Sequence, residues 1–92
     1  MSHEIKVVTL CNNALKSVKD AISEHHFQEV YDYINKHNEW GLGMEFLIDW
    51  LIDEEISIVQ KQYEQIQAAM SAMGLDKSSS MNYLEKHNVK NP

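Results

Sequence analysis

Arginine is missing from this chain, and cysteine and proline each occur once. Without guanidinium groups, the bidentate phosphate and guanine contacts on which nucleic-acid recognition usually rests cannot be made, so direct DNA or RNA binding is not expected. The lone Cys11 excludes an internal disulfide framework, and no Cys-x-x-Cys pair or Cys/His cluster has metal-ligand spacing. A reducing compartment fits this usage. The one proline, Pro92, is the last residue, which leaves nothing to break a helix before it. No apolar run reaches membrane-spanning length, and the opening "MSHEIKVVTLCNNALK" carries acid and lysines where a signal peptide needs a basic start and an unbroken apolar stretch. The expectation is a soluble, cytoplasmic protein with no membrane contact.

What is present is a helical pattern. The 92 residues, 43% of them hydrophobic, suit one domain over 1–92, and a domain of this size buries only about 60–65% of its unfolded surface. A cofactor pocket would compete with a small core, so no cofactor is expected and a flat binding surface is easier to accommodate. No strand-like alternation bounded by turns occurs. The pattern predicts an all-α fold, a compact bundle of four main helices plus a short C-terminal one.

The first helix is read over residues 3–22, with Val8, Cys11, Leu15, Val18 and Ile22 on its apolar face. Cys11 is then core; a catalytic thiol would need a low pKa and an organised base. Ser23 is placed to cap a second helix carrying Phe27, Val30, Tyr31 and Ile34, with Asn38 as a left-handed stop. His25 and Glu29 have the spacing of a two-ligand metal site. Two ligands are too few, so His25 and His26 are read as solvent-facing and no metal is expected. Further on, Ser57 and Gln60 have capping-box spacing before a helix with Val59, Tyr63, Ile66, Met70 and Met73, closed by Gly74. The methionines, Met44 and Met81 included, read as core filler. A last helix, 79–87, is expected to dock Met81, Tyr83 and Leu84 before the tail "NVKNP" frays.

The third helix, 39–54 in "NEWGLGMEFLIDWLIDEE", holds the most information. At about 100° per residue, Met44, Leu47, Ile48 and Leu51 share one side and Glu45, Asp49 and Asp53 the opposite side. Phe46 and Trp50 flank them, while Leu42, Ile52 and Ile56 project into the acidic sector. Gly41 and Gly43 each cost roughly 1 kcal/mol against alanine inside a helix. Their use is read as close approach of a neighbouring helix beside Trp40, since Gly-x-Gly without a preceding strand is weak evidence for phosphate binding.

The formal net charge of -6 has one source: no lysine lies between Lys36 and Lys61, a span holding Glu39, Glu45, Asp49, Asp53, Glu54 and Glu55. The eight other acids are matched by the eight lysines. One reading makes these acids the solvated remainder of a helix buried most of the way round. The sharper one makes Glu45, Asp49, Asp53, Glu39, Leu42, Ile52, Glu54 and Glu55 a surface for a basic partner. Acid/base catalysis by paired carboxylates would need an enclosed cleft, so no enzyme activity is expected.

An acidic helical chain of this length invites comparison with acyl carrier proteins, but these carry phosphopantetheine on a serine opening the corresponding helix. No serine occurs here between Ser23 and Ser57. The stronger resemblance is to the MafI-like immunity proteins of bacterial polymorphic toxin systems, which include immunity proteins of contact-dependent growth inhibition. It is carried by Glu39-Trp40-Gly41, then Glu45, Leu47, Asp49 and Leu51, then Ile56-Ser57, Tyr63, Ile66 and Met73-Gly74-Leu75, about 40% of the chain. The first 37 residues match only in helical character. The resemblance implies a non-enzymatic, cofactor-free inhibitor that binds the C-terminal domain of a cognate toxin in the producing cell's cytoplasm. Many such toxins are nucleases, often tRNases, with basic substrate clefts. An acidic helical adaptor for some other basic protein is the alternative.

Overall fold

A computed structural model describes residues 3–90. They form an all-α bundle of five helices: α1 (His3–Ser17), α2 (Glu24–Asn35), α3 (Trp40–Asp53), α4 (Gln60–Ala72) and α5 (Ser79–His87). Two residue pairs, β1 (Ile58–Val59) and β2 (Val89–Lys90), add a short parallel ladder with Ile58 opposite Val89. The helix α1 packs along α4, α2 against α3, and α3 against α5. Among the described residues no helix is long and apolar enough to cross a membrane.

The first helix stops earlier than its periodicity suggests. Ser17 Oγ donates to the Ala14 carbonyl at 2.6 Å, and a 3-10 turn over Lys19–Ala21 follows in place of a last α turn. Such back-bonding by serine competes with helix continuation. The buried stripe is Val7, Cys11, Ala14 and Leu15, so Val7 replaces Val8, which is only partly buried. Cys11 lies in the core with no exposed surface, and burial pushes its thiol up to about 11. A nucleophile needs the opposite shift.

Local stops and starts follow the expected chemistry at most junctions. Ser23 Oγ accepts from the His26 amide at 3.1 Å, and Ser78 Oγ accepts from Met81 at 3.2 Å. Asn38 takes a left-handed φ of 53°, and Gly74 one of 74°. The end of α4 is a Schellman motif, in which the Leu75 amide reaches the Met70 carbonyl at 2.8 Å and the Gly74 amide that of Ser71 at 3.0 Å. Met44, Met70 and Met81 are buried core, and Met73 packs at its edge.

Two junctions differ from expectation, for one reason. Ser57 does not cap α4; pairing with β2 keeps Ile58 and Val59 extended, and Gln62 Oε1 takes the Val59 amide at 2.8 Å. The same Gln62 donates through Nε2 to the Ser17 carbonyl at 2.8 Å, tying the start of α4 to the end of α1. Nor does the tail fray through Lys90. Asn88 is buried, and the Ile58 amide donates to its carbonyl at 2.9 Å; Asn91 and Pro92 lie outside the described residues. Tyr83, expected to dock, is 48% exposed, while Met81 and Leu84 are buried.

Of the two early glycines, only Gly43 serves a close crossing. A Cβ there would lie 3.0 Å from Tyr33 Cβ and 3.5 Å from the Val30 carbonyl oxygen of α2. At Gly41 the nearest atom would be Leu75 Cδ1 at 3.7 Å, an ordinary contact.

Candidate interaction face

The helix α3 buries Met44, Leu47, Ile48 and Leu51 as its periodicity requires, and the opposite crest carries Glu45, Asp49 and Asp53, all exposed. They recur every four residues, so the carboxylates climb the helix in steps of about 6 Å. Leu42 stands among them, 40% exposed. Glu39 precedes the helix at its N-cap position and is exposed without a capping hydrogen bond.

The other candidates sit apart from this crest. Glu54 approaches α2, where its Oε2 lies 3.2 Å from His26 Nδ1. Ile52 is half-buried and, with Glu55, lines a shallow recess of about 350 Å³ that also takes in Tyr83 and His87 of α5. Ile56 lies beyond the helix end and packs against the core. Of the three apolar residues expected among the acids, Leu42 alone stands exposed there; Ile52 and Ile56 lean back toward the core.

Electrostatically the crest is unbalanced. Among the described residues the close carboxylate–base pairs are His25–Glu29 at 3.6 Å, His26–Glu54 at 3.2 Å and Lys36–Asp32 at 3.4 Å, none on the crest. Like charges at i, i+4 disfavour a helix by about 0.2–0.5 kcal/mol per pair, and Glu45–Asp49 and Asp49–Asp53 are two such pairs. The last turn of α3 contains no basic residue. Asp53, Glu54 and Glu55 therefore gather at the negative end of the helix dipole, where a cation would gain about 0.3–1 kcal/mol.

Sequence reasoning missed a second element of the face. His26, expected in solvent, stacks on Trp50 with ring centroids 3.9 Å apart and planes 9° apart. Phe46 lies 5.9 Å from Trp50, and Tyr33 lies 5.2 Å from Phe46. These half-buried rings roof the seam between α2 and α3. The signal was present in the i, i+4 spacing of Phe46 and Trp50, but the partner rings on α2 become visible only once the two helices are paired. His26 Nδ1 is buried without a hydrogen bond. His25, by contrast, has an 85% exposed side chain.

No group of three or more His, Cys, Asp or Glu side chains is placed to hold a metal among the described residues. The crest carboxylates are open to solvent, so the arrangement suits recognition of a cationic surface. Compared with known protein families, curated proteins and solved structures, the chain matches none of them.

Proposed function

We propose that this chain is an immunity protein, which binds a cognate bacterial toxin domain with a basic surface, such as a tRNase, and neutralises it by non-covalent occlusion. The observation that carries the reading is the placement of acids against the interest of their own helix. Among the described residues Glu45, Asp49 and Asp53 have no cationic partner, and they repel one another along α3 and run toward its negative end. A solvated face could use any polar residue or alternate its charges, at a gain of a few tenths of a kcal/mol per pair. A carboxylate ladder with Leu42 among its members instead fits a partner that supplies the missing cations and covers the leucine. Occupation of a basic substrate cleft would exclude nucleic acid by competition of like charge for one site.

The test is growth rescue. Co-expression with the toxin domain encoded beside it should restore growth, and changing Glu45, Asp49 and Asp53 together to lysine should abolish rescue in a protein whose circular dichroism and melting remain those of a folded chain. Full rescue by the folded triple variant would overturn the acidic-face mechanism. Failure of the unaltered chain to rescue would overturn the immunity reading and leave an adaptor for another basic protein.

A further inference from the structure

The helix α3 offers a partner two different margins. Toward α5 stands Ile52, half withdrawn into its recess. Toward α2 stand Phe46 and Trp50, whose ring planes differ by only 15°, with His26 stacked on Trp50 at 9°. Three rings thus share one orientation. Each ring on α3 also has a crest carboxylate one turn further along, Asp49 after Phe46 and Asp53 after Trp50, a spacing at which helical side chains are neighbours.

We infer that this aromatic seam, and not the Ile52 margin, anchors the partner, and that its occupants are arginine side chains of a basic protein segment. The inference rests on α3 being the binding face and names what that face selects. A guanidinium is flat and weakly hydrated: it can lie against a ring while its edge donates two hydrogen bonds to a carboxylate beside that ring. An ammonium is a compact, strongly hydrated charge with no flat face, so it satisfies the carboxylate and gains little from the ring. Phe46–Asp49 and Trp50–Asp53 are two such stations, four residues apart and so about 6 Å along the helix. That separation matches side chains two apart on one side of an extended segment, at about 6.6–6.8 Å. His26 covers one face of Trp50 and holds the ring in place, which lowers the ordering cost on binding.

The experiment titrates the full 15N-labelled chain with two peptides, Arg-Ser-Arg-Ser-Arg and Lys-Ser-Lys-Ser-Lys, at matched ionic strength, following the Trp50 indole N–H and the backbone amides. The arginine peptide should bind about three- to fivefold tighter and shift the Trp50 indole. Phe46→Leu keeps apolar bulk and removes the ring. It should weaken the arginine peptide more than the lysine one and so narrow the arginine advantage, the Trp50–Asp53 station remaining. Asp49→Asn, on the exposed crest, should weaken the arginine peptide more than the lysine one and serves the same purpose if F46L does not fold. Equal affinities for the two peptides, an arginine advantage undiminished in F46L and in D49N, or shifts confined to residues around Ile52 would overturn the inference. Peptide binding involves no toxin. Arginine preference without growth rescue therefore counts against the immunity reading alone, and rescue without arginine preference counts against this inference alone.

Discussion

The two ends of α3 are fixed by opposite means. At its N-terminal end a side chain is removed: Gly43 lets the backbone of α3 approach Val30, Tyr33 and Ile34 of α2, and Glu39 contributes no capping hydrogen bond. At its C-terminal end a side chain is added from far along the chain. Asn88, buried just after α5, donates through Nδ2 to the Leu51 carbonyl at 2.8 Å and the Ile56 carbonyl at 2.9 Å. One end is held by close packing and the other by a buried amide that bonds the last-turn carbonyl of Leu51 and the carbonyl of Ile56 just past the helix. Between them the crest is free to carry charges that do nothing for the fold. Packing and hydrogen bonding at the ends can absorb the few tenths of a kcal/mol lost in each like-charge pair.

The sharpest way to break this contrast is at Asn88. Replacing it by aspartate removes the two N–H donors and sets a carboxylate against the carbonyls of Leu51 and Ile56. The expected loss is about 3 kcal/mol or more, from two lost hydrogen bonds together with a buried charge. Chemical denaturation would measure it. Asn88→Ala removes the donor to the Ile56 carbonyl and the second bond to the Leu51 carbonyl, which keeps the Ile56 amide, and without adding charge should cost about 1–3 kcal/mol. If both variants melted like the parent, the C-terminal end of α3 would be held by the core alone.

At the other end the two glycines form an internal control. Alanine at Gly43 must push against Tyr33 Cβ at 3.0 Å, on a helix pinned by the core residues Val30 and Ile34. Overpacking of this kind costs about 1–3 kcal/mol, against a gain of up to about 1 kcal/mol in helix propensity. A net loss of stability is expected. Alanine at Gly41 meets only Leu75 Cδ1 at 3.7 Å and should leave stability unchanged or raise it by a few tenths to about 1 kcal/mol. Thermal melts of the pair suffice: equal effects of G41A and G43A would mean that the approach of α2 to α3 does not constrain the side chain at position 43.

The same contrast explains what could be read from the sequence. The helices, the buried side of α3, the Ser23 cap and the turns at Asn38 and Gly74 all follow from spacing within a few residues, and the structure repeats them. So does the exposure of Glu45, Asp49 and Asp53, because periodicity that buries Leu47 and Leu51 forces those positions outward. The features that escaped are held by partners distant in sequence. Asn88 looks like part of a fraying tail until it meets Leu51, 37 residues away. His26 looks solvent-facing until α2 lies against α3 and brings Trp50 to it. Ser57 and Gln60 fit a capping box locally, yet the β1–β2 ladder moves the helix start onward and gives the role to Gln62. For the candidate face, the acids were legible one residue at a time; the aromatic seam was a property of two helices.

A modest gain is expected at the C-terminal end of α3, where a left-handed residue closes the helix. The C-terminal turn of α3 is a Schellman motif, with the Glu55 amide bonded to the Ile52 carbonyl at 3.1 Å and the Ile56 amide to that of Leu51 at 2.9 Å. Its left-handed position is filled by Glu55, at φ 52°, where Gly74 fills the same position after α4. A left-handed residue with a Cβ costs about 1–2 kcal/mol, and a third acid beside Asp53 and Glu54 adds repulsion at the negative end of the dipole. Glu55→Gly should therefore raise stability by about 0.5–1 kcal/mol, since the flexibility glycine adds to the unfolded chain offsets part of the relief. Asn at this position relieves less strain but removes the charge, so a denaturation series of Glu, Asn and Gly separates the two contributions. Glu55 lines the recess beside Ile52, away from the aromatic seam, so the stabilised E55G chain should keep the arginine preference of the parent.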